Sequence, residues 1–241
     1  MAHSDQRRMD KGPMDLETIE GILLVAESGL AAGREIDLSA VGFWKAVNAV
    51  KQQPELVEVF GDRIGRIDRL AFERWALLTM PSGVGTALSV GATAAGLALV
   101  GQAYRLEGVA QGLTLLTGTG VVLVATHGLA HWIVATGMGM RVSHWFVGSV
   151  RKPHPGIKVD YSTYLRTPAR RRAWMHASGA ILSKLVPFLG LGAGRAMKAP
   201  RWAQAALGAT GIVEIVTDVL WSTKASDWKK FKREMALAGG R

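Results

Sequence analysis

Apolar residues fall along this chain in two different patterns. Up to about residue 80 they recur between polar residues at helical spacing, and beyond it they gather into long unbroken runs. In "PELVEVFGDRIGRIDRLAFERWALL" the residues Val57, Phe60, Ile64, Ile67, Ala71 and Trp75 return every three or four positions, which predicts one apolar stripe along a helix. That helix opens on Pro54, a residue suited to a first turn. Two shorter patterns precede it. "DLETIEGILLVAESGLAAG" ends on a glycine, and "DLSAVGFWKAVNAVKQQ" follows an Asp cap and stops before Pro54. Residues 15–80 therefore read as a small helical region, behind a tail at 1–14 expected to be disordered.

The long runs need a different solvent. Trp75 to Tyr104 is 30 residues without a formal charge, and Gly108 to Met140 is 33. A bilayer needs about 20 predominantly apolar residues to be crossed by a helix. Spans are predicted at 84–103 and 112–136, with two more, interrupted by ionisable groups, at 173–194 and 202–222. Their Gly, Ala, Ser and Thr content lets neighbouring backbones approach closely in lipid. Between the second and third spans, "RVSHWFVGS" and "GIKVDYSTYL" alternate with β-branched and aromatic residues around "RKPHPG", which predicts a short β-hairpin. The fold class is thus a mainly α, polytopic membrane protein of about four transmembrane helices. Its core covers 81–223, followed by a basic tail at 224–241.

Charge refines the picture. Residues 1–75 hold 10 Lys/Arg against 13 Asp/Glu, whereas residues 76–241 hold 19 against 6. The basic excess flanks uncharged runs, so it reads as charge for a membrane surface and speaks against a nucleic-acid binder. Basic segments at 141–172 and after 223 fall on one side of a four-span topology. This places both termini, and the hairpin, in the cytoplasm. Ala-, Gly- and Arg-rich usage suits a bacterial inner membrane. The start of the chain has no apolar segment of the signal-peptide kind. Cysteine is absent, which removes disulfides and thiolate chemistry.

The ionisable residues inside the spans carry the candidate chemistry. His127 and His131 stand four apart in "THGLAHWIVATGMGM", on one face of a helix, the spacing a tetrahedral metal needs. With the orientation above, His127, His131, His176, Lys184, Glu214 and Asp218 all fall roughly 5 to 17 Å from the cytoplasmic boundary, at ~1.5 Å per residue. Asp218 lies at the right depth to supply a third ligand. Such groups are expensive inside a membrane and usually mark a functional site. Other readings of the same residues are a structural polar cluster, with Lys184 paired to Glu214 or Asp218, or a path for ions or protons.

The stretch "THGLAHWIVATGMGMRVSHWFVG", the segment "HPGIKVDYSTYLRTPARRRAWMHASGAILSKL" and Asp218 in "GIVEIVTDVLWS" together resemble the site-2 protease family of intramembrane zinc metalloproteases. The resemblance implies one zinc ion on His127, His131 and Asp218. His176 is a reserve ligand or a hydrogen-bond donor to the Asp218 carboxylate. It further implies that the hairpin edge pairs with an unwound transmembrane substrate. The departures are specific. Gly128 replaces the catalytic Glu of His-Glu-x-x-His, and Ala180 and Ser183 stand where the family has Pro and Asn to position substrate. Glu214 is the conceivable substitute base, unless Lys184 holds it. The expectation is a metalloprotease-like protein with weak or lost peptidase activity. Its rivals are a non-enzymatic protein that binds a transmembrane partner and a small carrier or channel using Lys184 and Glu214.

Overall fold

A computed structural model of the chain describes residues 14–34, 36–150, 154–220 and 226–239. The expected tail up to residue 13, the middle of "RKPHPG" and the end of the expected fourth span lie outside them. The described residues divide into two compact units. The first holds α1 (Leu16–Ala31), α2 (Phe43–Gln52), α3 (Pro54–Trp75) and the short α6 (Tyr161–Arg166). Asp15 caps α1, its carboxylate accepting from the Thr18 N–H at 2.7 Å. The core joins Ile19 and Leu23 of α1, Phe43 and Val47 of α2, and Val57, Phe60, Ile64 and Ile67 of α3. The stripe anticipated on α3 is therefore buried through Ile67. In the last turn it moves to Phe72 while Trp75 is exposed, because the helix ends there instead of running on to residue 80. Within this unit α6 docks on α3, where Arg166 grips Asp62 through both terminal guanidinium nitrogens, Nη1 and Nη2, at 2.8 and 3.1 Å.

The second unit contains β1 (Leu78–Pro81), α4 (Ser82–Ala103), α5 (Gly108–Gly137), β2 (Val142–Val147), β3 (Pro155–Val159), α7 (Ala169–Ala196), α8 (Arg201–Leu220) and α9 (Asp227–Gly239). The chain is mainly helical. Among the described residues three helices, α4, α5 and α7, are long and apolar enough to cross a membrane. Leu88 and Leu97 of α4, Val124 and Ile133 of α5 and Leu189 of α7 are each more than half exposed. Large apolar side chains in that number suit contact with lipid. The second half of "GIKVDYSTYL" is α6, not strand. The hairpin forms from β2 and β3, and β1 joins it as a strand the alternation did not announce, giving an antiparallel sheet in the order β1-β2-β3. Leu78 pairs with Val147 and Pro81 with His144. A proline is tolerated there because β1 is an edge strand.

Close backbone approach holds α5 to its neighbours. A Cβ on Gly118 of α5 would stand 2.8 Å from the Gly96 carbonyl oxygen of α4, and one on Gly96 would stand 2.9 Å from the Gly118 carbonyl oxygen. The two helices thus meet where neither has a side chain, the packing that small residues permit in lipid. A Cβ on Gly120, two residues on, meets nothing within 4 Å. We expect Gly118→Val to lower the thermal stability of the detergent-solubilised protein by about 1–3 kcal/mol, the usual cost of overpacking. Gly120→Val should leave it within about 0.5 kcal/mol. Equal midpoints for the two variants would show that this contact does not hold α4 to α5.

Candidate metal centre

The site stands at the end of the second unit where α5 finishes and α7 begins. His127 and His131 lie one turn apart on α5, and their rings meet edge to face at 4.9 Å between centroids. Each ring is fixed through Nδ1. The His131 Nδ1 is 2.7 Å from the Met175 carbonyl oxygen of α7, an atom that can only accept, so Nδ1 carries the hydrogen. His127 Nδ1 is 2.8 Å from the Ser183 hydroxyl oxygen, and that hydroxyl lies 3.0 Å from the Gly179 carbonyl. With Ser183 donating to Gly179, its oxygen accepts from the His127 Nδ1–H. Both rings then turn Nε2 the same way.

Asp227, the first residue of α9, meets them there. Its Oδ2 lies 3.1 Å from His131 Nε2 and 3.6 Å from His127 Nε2. The three ligand atoms all fall within 4.8 Å of one another. A tetrahedral zinc with bonds of about 2.0–2.1 Å separates its ligand atoms by about 3.3 Å, so the spacing fits an ion of that size. With Nδ1 already protonated, a neutral His131 brings a lone pair to a carboxylate oxygen. The two are compatible only if a proton or a metal cation is shared between them. Burial opposes the charge on Asp227, yet the His131 hydrogen bond, then the neighbouring His131, Lys230 and His127, hold its carboxyl well below the usual range. Lys230 also reaches its other oxygen, Oδ1, at 3.2 Å.

The ring of His131 needs room that only glycine leaves. A Cβ on Gly179 of α7 would come within 2.2 Å of the His131 Nε2. Asp227 is held through α9, which Arg172 anchors. The Arg172 Nε donates to Glu234 Oε2 at 2.7 Å, with both side chains almost fully buried, and its Nη1 donates to the Thr167 carbonyl at 2.9 Å. Trp174 of α7 packs edge-on against Phe231 of α9.

The other expected site residues are distributed differently. Asp218, expected as the third ligand, is not brought to the histidines. It is ion-paired with Lys184, which also donates to the Ala180 carbonyl. Glu214 lies where the charges of Lys184 and Asp218 act on it, and it is not among the groups that converge with the histidines. His176 is close enough to Asp227, Glu234 and Lys230 to feel their charges, without joining the three ligand atoms. Ser183 orients His127. Asp227 was hidden from the sequence reading because it follows the last apolar run and opens a stretch, "DWKKFKRE", that reads as basic tail. The signal was an Asp after a Ser cap, in the first turn of an amphipathic helix with aromatics at 228 and 231.

Gly128 has a structural reason of its own. Trp145 of β2 lies against it, so that a Cβ there would stand 2.5 Å from the indole Cζ3, and a Cβ on Gly85 of α4 would stand 2.2 Å from the same indole. The indole N–H donates to the Thr86 hydroxyl at 3.2 Å. Position 128, between the two histidines, is packed against a tryptophan. No protein family, curated protein or solved structure matches the chain.

We expect Gly128→Glu to lower thermal stability by about 1–3 kcal/mol through overpacking. Adding Trp145→Ala, which clears the indole, should restore part of that loss even though Trp145→Ala alone is destabilising. Additive losses in the double variant, measured by thermal unfolding in one detergent, would show that the two positions do not compete for this space.

Proposed function

We propose that this is an integral membrane protein holding one zinc ion on His127, His131 and Asp227, in a site related to that of the site-2 proteases but without their catalytic base. The observation that carries the reading is the convergence of two Nε2 atoms on one carboxylate oxygen, with both Nδ1 atoms engaged elsewhere. A metal-ligating histidine ordinarily donates its other ring N–H to a carbonyl or polar oxygen, as these two do. Zinc would supply Lewis acidity there. The ring positions, the tautomers and the shielding by α7 and α9 come from the chain itself. On this reading α8 is a fourth span beside α4, α5 and α7. The membrane is a bacterial inner membrane, and both termini are cytoplasmic.

Peptide hydrolysis on this site is weak or lost. Gly128 offers no proton acceptor, and Trp145 fills the space beside it. Asp218 is ion-paired with Lys184, and neither it nor Glu214 is among the groups that converge with the histidines. One further observation favours a binding role. A cleft of about 440 Å³ is lined by Ile181, Leu185 and Phe188 of α7, Ile215 of α8 and Trp228 of α9, with Lys184 and Asp218 in its wall. It adjoins Asp227 through Trp228, and its apolar lining suits a side chain of a transmembrane partner.

The protein purified in detergent without chelator is expected to carry about one zinc per chain by elemental analysis. His127→Ala and Asp227→Asn should each lower metal affinity at least tenfold, while Asp218→Asn keeps the stoichiometry. Metal-free wild type, or zinc lost with Asp218→Asn and kept with Asp227→Asn, would overturn the site. The same preparation should leave a transmembrane test peptide uncut. Robust cleavage that disappears with Glu214→Gln would instead make Glu214 the base.

A further inference from the structure

We propose that the first turn of α7 and the outer side of α9 form a binding surface for anionic phospholipid headgroups. Arg170 and Arg171 are exposed at the start of α7, and Lys229, Lys232 and Arg233 are exposed on α9 at i, i+3 and i+4, a spacing that shares one helix face. Neither helix offers an exposed carboxylate to neutralise them. α7 contains no Asp or Glu, Glu234 is buried on Arg172, and Asp227 is engaged by His131, His127 and Lys230. The first turn of α7 and the α9 packed on α7 thus expose five cations and no carboxylate among their described residues.

Position selects the partner. The contacts between the helices run in opposite order along α7 and α9. Asp227 lies by the histidine held at Met175, Phe231 lies by Trp174, and Glu234 lies by Arg172. α9 is therefore antiparallel to α7 and leads outward past the first turn of a helix apolar enough to span a bilayer. An aromatic cluster lies where the two helices meet, with Trp174 edge-on to Phe231 and Phe231 stacked on Trp228 at 5.0 Å. Lys232 and Arg233 lie beyond Trp228 and Phe231 along α9, Arg170 and Arg171 lie before Trp174 on α7, and Lys229 stands at the level of the rings. That order suits a membrane interface with rings at the glycerol level and cations at phosphate. An anionic headgroup fits that order, and its binding does not depend on whether the metal site is filled.

The test is titration of the full-length protein in neutral detergent with short-chain phosphatidylglycerol or phosphatidylcholine, read by tryptophan fluorescence. Wild type should bind phosphatidylglycerol more tightly. Lys229→Gln/Lys232→Gln/Arg233→Gln, and separately Arg170→Gln/Arg171→Gln, should each lose about fivefold in affinity for every cation removed, and added salt should weaken wild-type binding. Circular dichroism and the thermal midpoint confirm that the variants are folded. Equal affinity for the two lipids in wild type would overturn the proposal, as would variants that bind phosphatidylglycerol as wild type does. If wild type shows no lipid preference but binds a poly-glutamate peptide that the variants release, the face belongs to an acidic protein and the lipid assignment fails.

Discussion

The second unit depends on how closely other elements approach the backbone of α5. Glycine makes each approach possible, on α5 or on the neighbour. Gly118 meets Gly96 of α4, Gly112 takes the Trp202 ring of α8, and Gly128 takes the Trp145 ring of β2. From α7, Gly190 gives way to Thr119 and Gly179 to His131. In an apolar solvent there is little hydrophobic gain in bringing helices together, so contact area and backbone proximity carry more of the association. The same feature that assembles the helices also sets the site. His131 can place Nδ1 on the Met175 carbonyl only because Gly179 leaves its ring space, and that bond in turn decides which nitrogen faces Asp227.

Polar pairing supplies the second layer of constraint. Removing charges from water is costly, and several ionisable groups of this unit that are withdrawn from solvent are paired. Arg172 and Glu234 fix α9, Lys184 and Asp218 join α7 to α8, and Asp227 closes on the histidines. These pairings make separate arrangements out of residues that share one depth along the helices. Depth alone therefore could not decide which carboxylate would reach which partner.

That limit explains what was legible in the sequence. The uncharged runs located α4 and α5 to within a few residues, because length and lack of charge report directly on the solvent. The i, i+4 histidines were legible because a helix brings that spacing onto one face whatever surrounds it. Strands β2 and β3 followed from alternation, but the four residues of β1 are too few to show a period. Asp218 read as a ligand because it matched the histidines in depth. Lys184 matched it equally well, and a full opposite charge is a stronger partner for a carboxylate than a neutral imidazole. Asp227 escaped because its helix is short and basic, so nothing in the local pattern distinguishes a docked helix from a solvated tail. What docks it is Glu234 reaching Arg172, a contact 62 positions apart in sequence.

The origin of that third group changes what the site can do. Two histidines from one helix form a rigid pair, and a carboxylate from α9 makes the set complete only while α9 is docked. A metal held there would therefore stabilise the docked position of α9, since binding free energy to a site absent from the undocked chain adds to the free energy of docking. The buried Arg172–Glu234 pair and the Trp174–Phe231 contact place α9 independently of any ion, which preorganises Asp227. Preorganisation of this kind lowers the cost of binding an ion, because the ligands need not be ordered when it arrives. Beside the histidines, Trp145 packs against Gly128 and closes that side of α5 with apolar surface. The ligand set, the docking of α9 and the packing around position 128 thus all rest on the same close contacts of α5 and α7 with their neighbours.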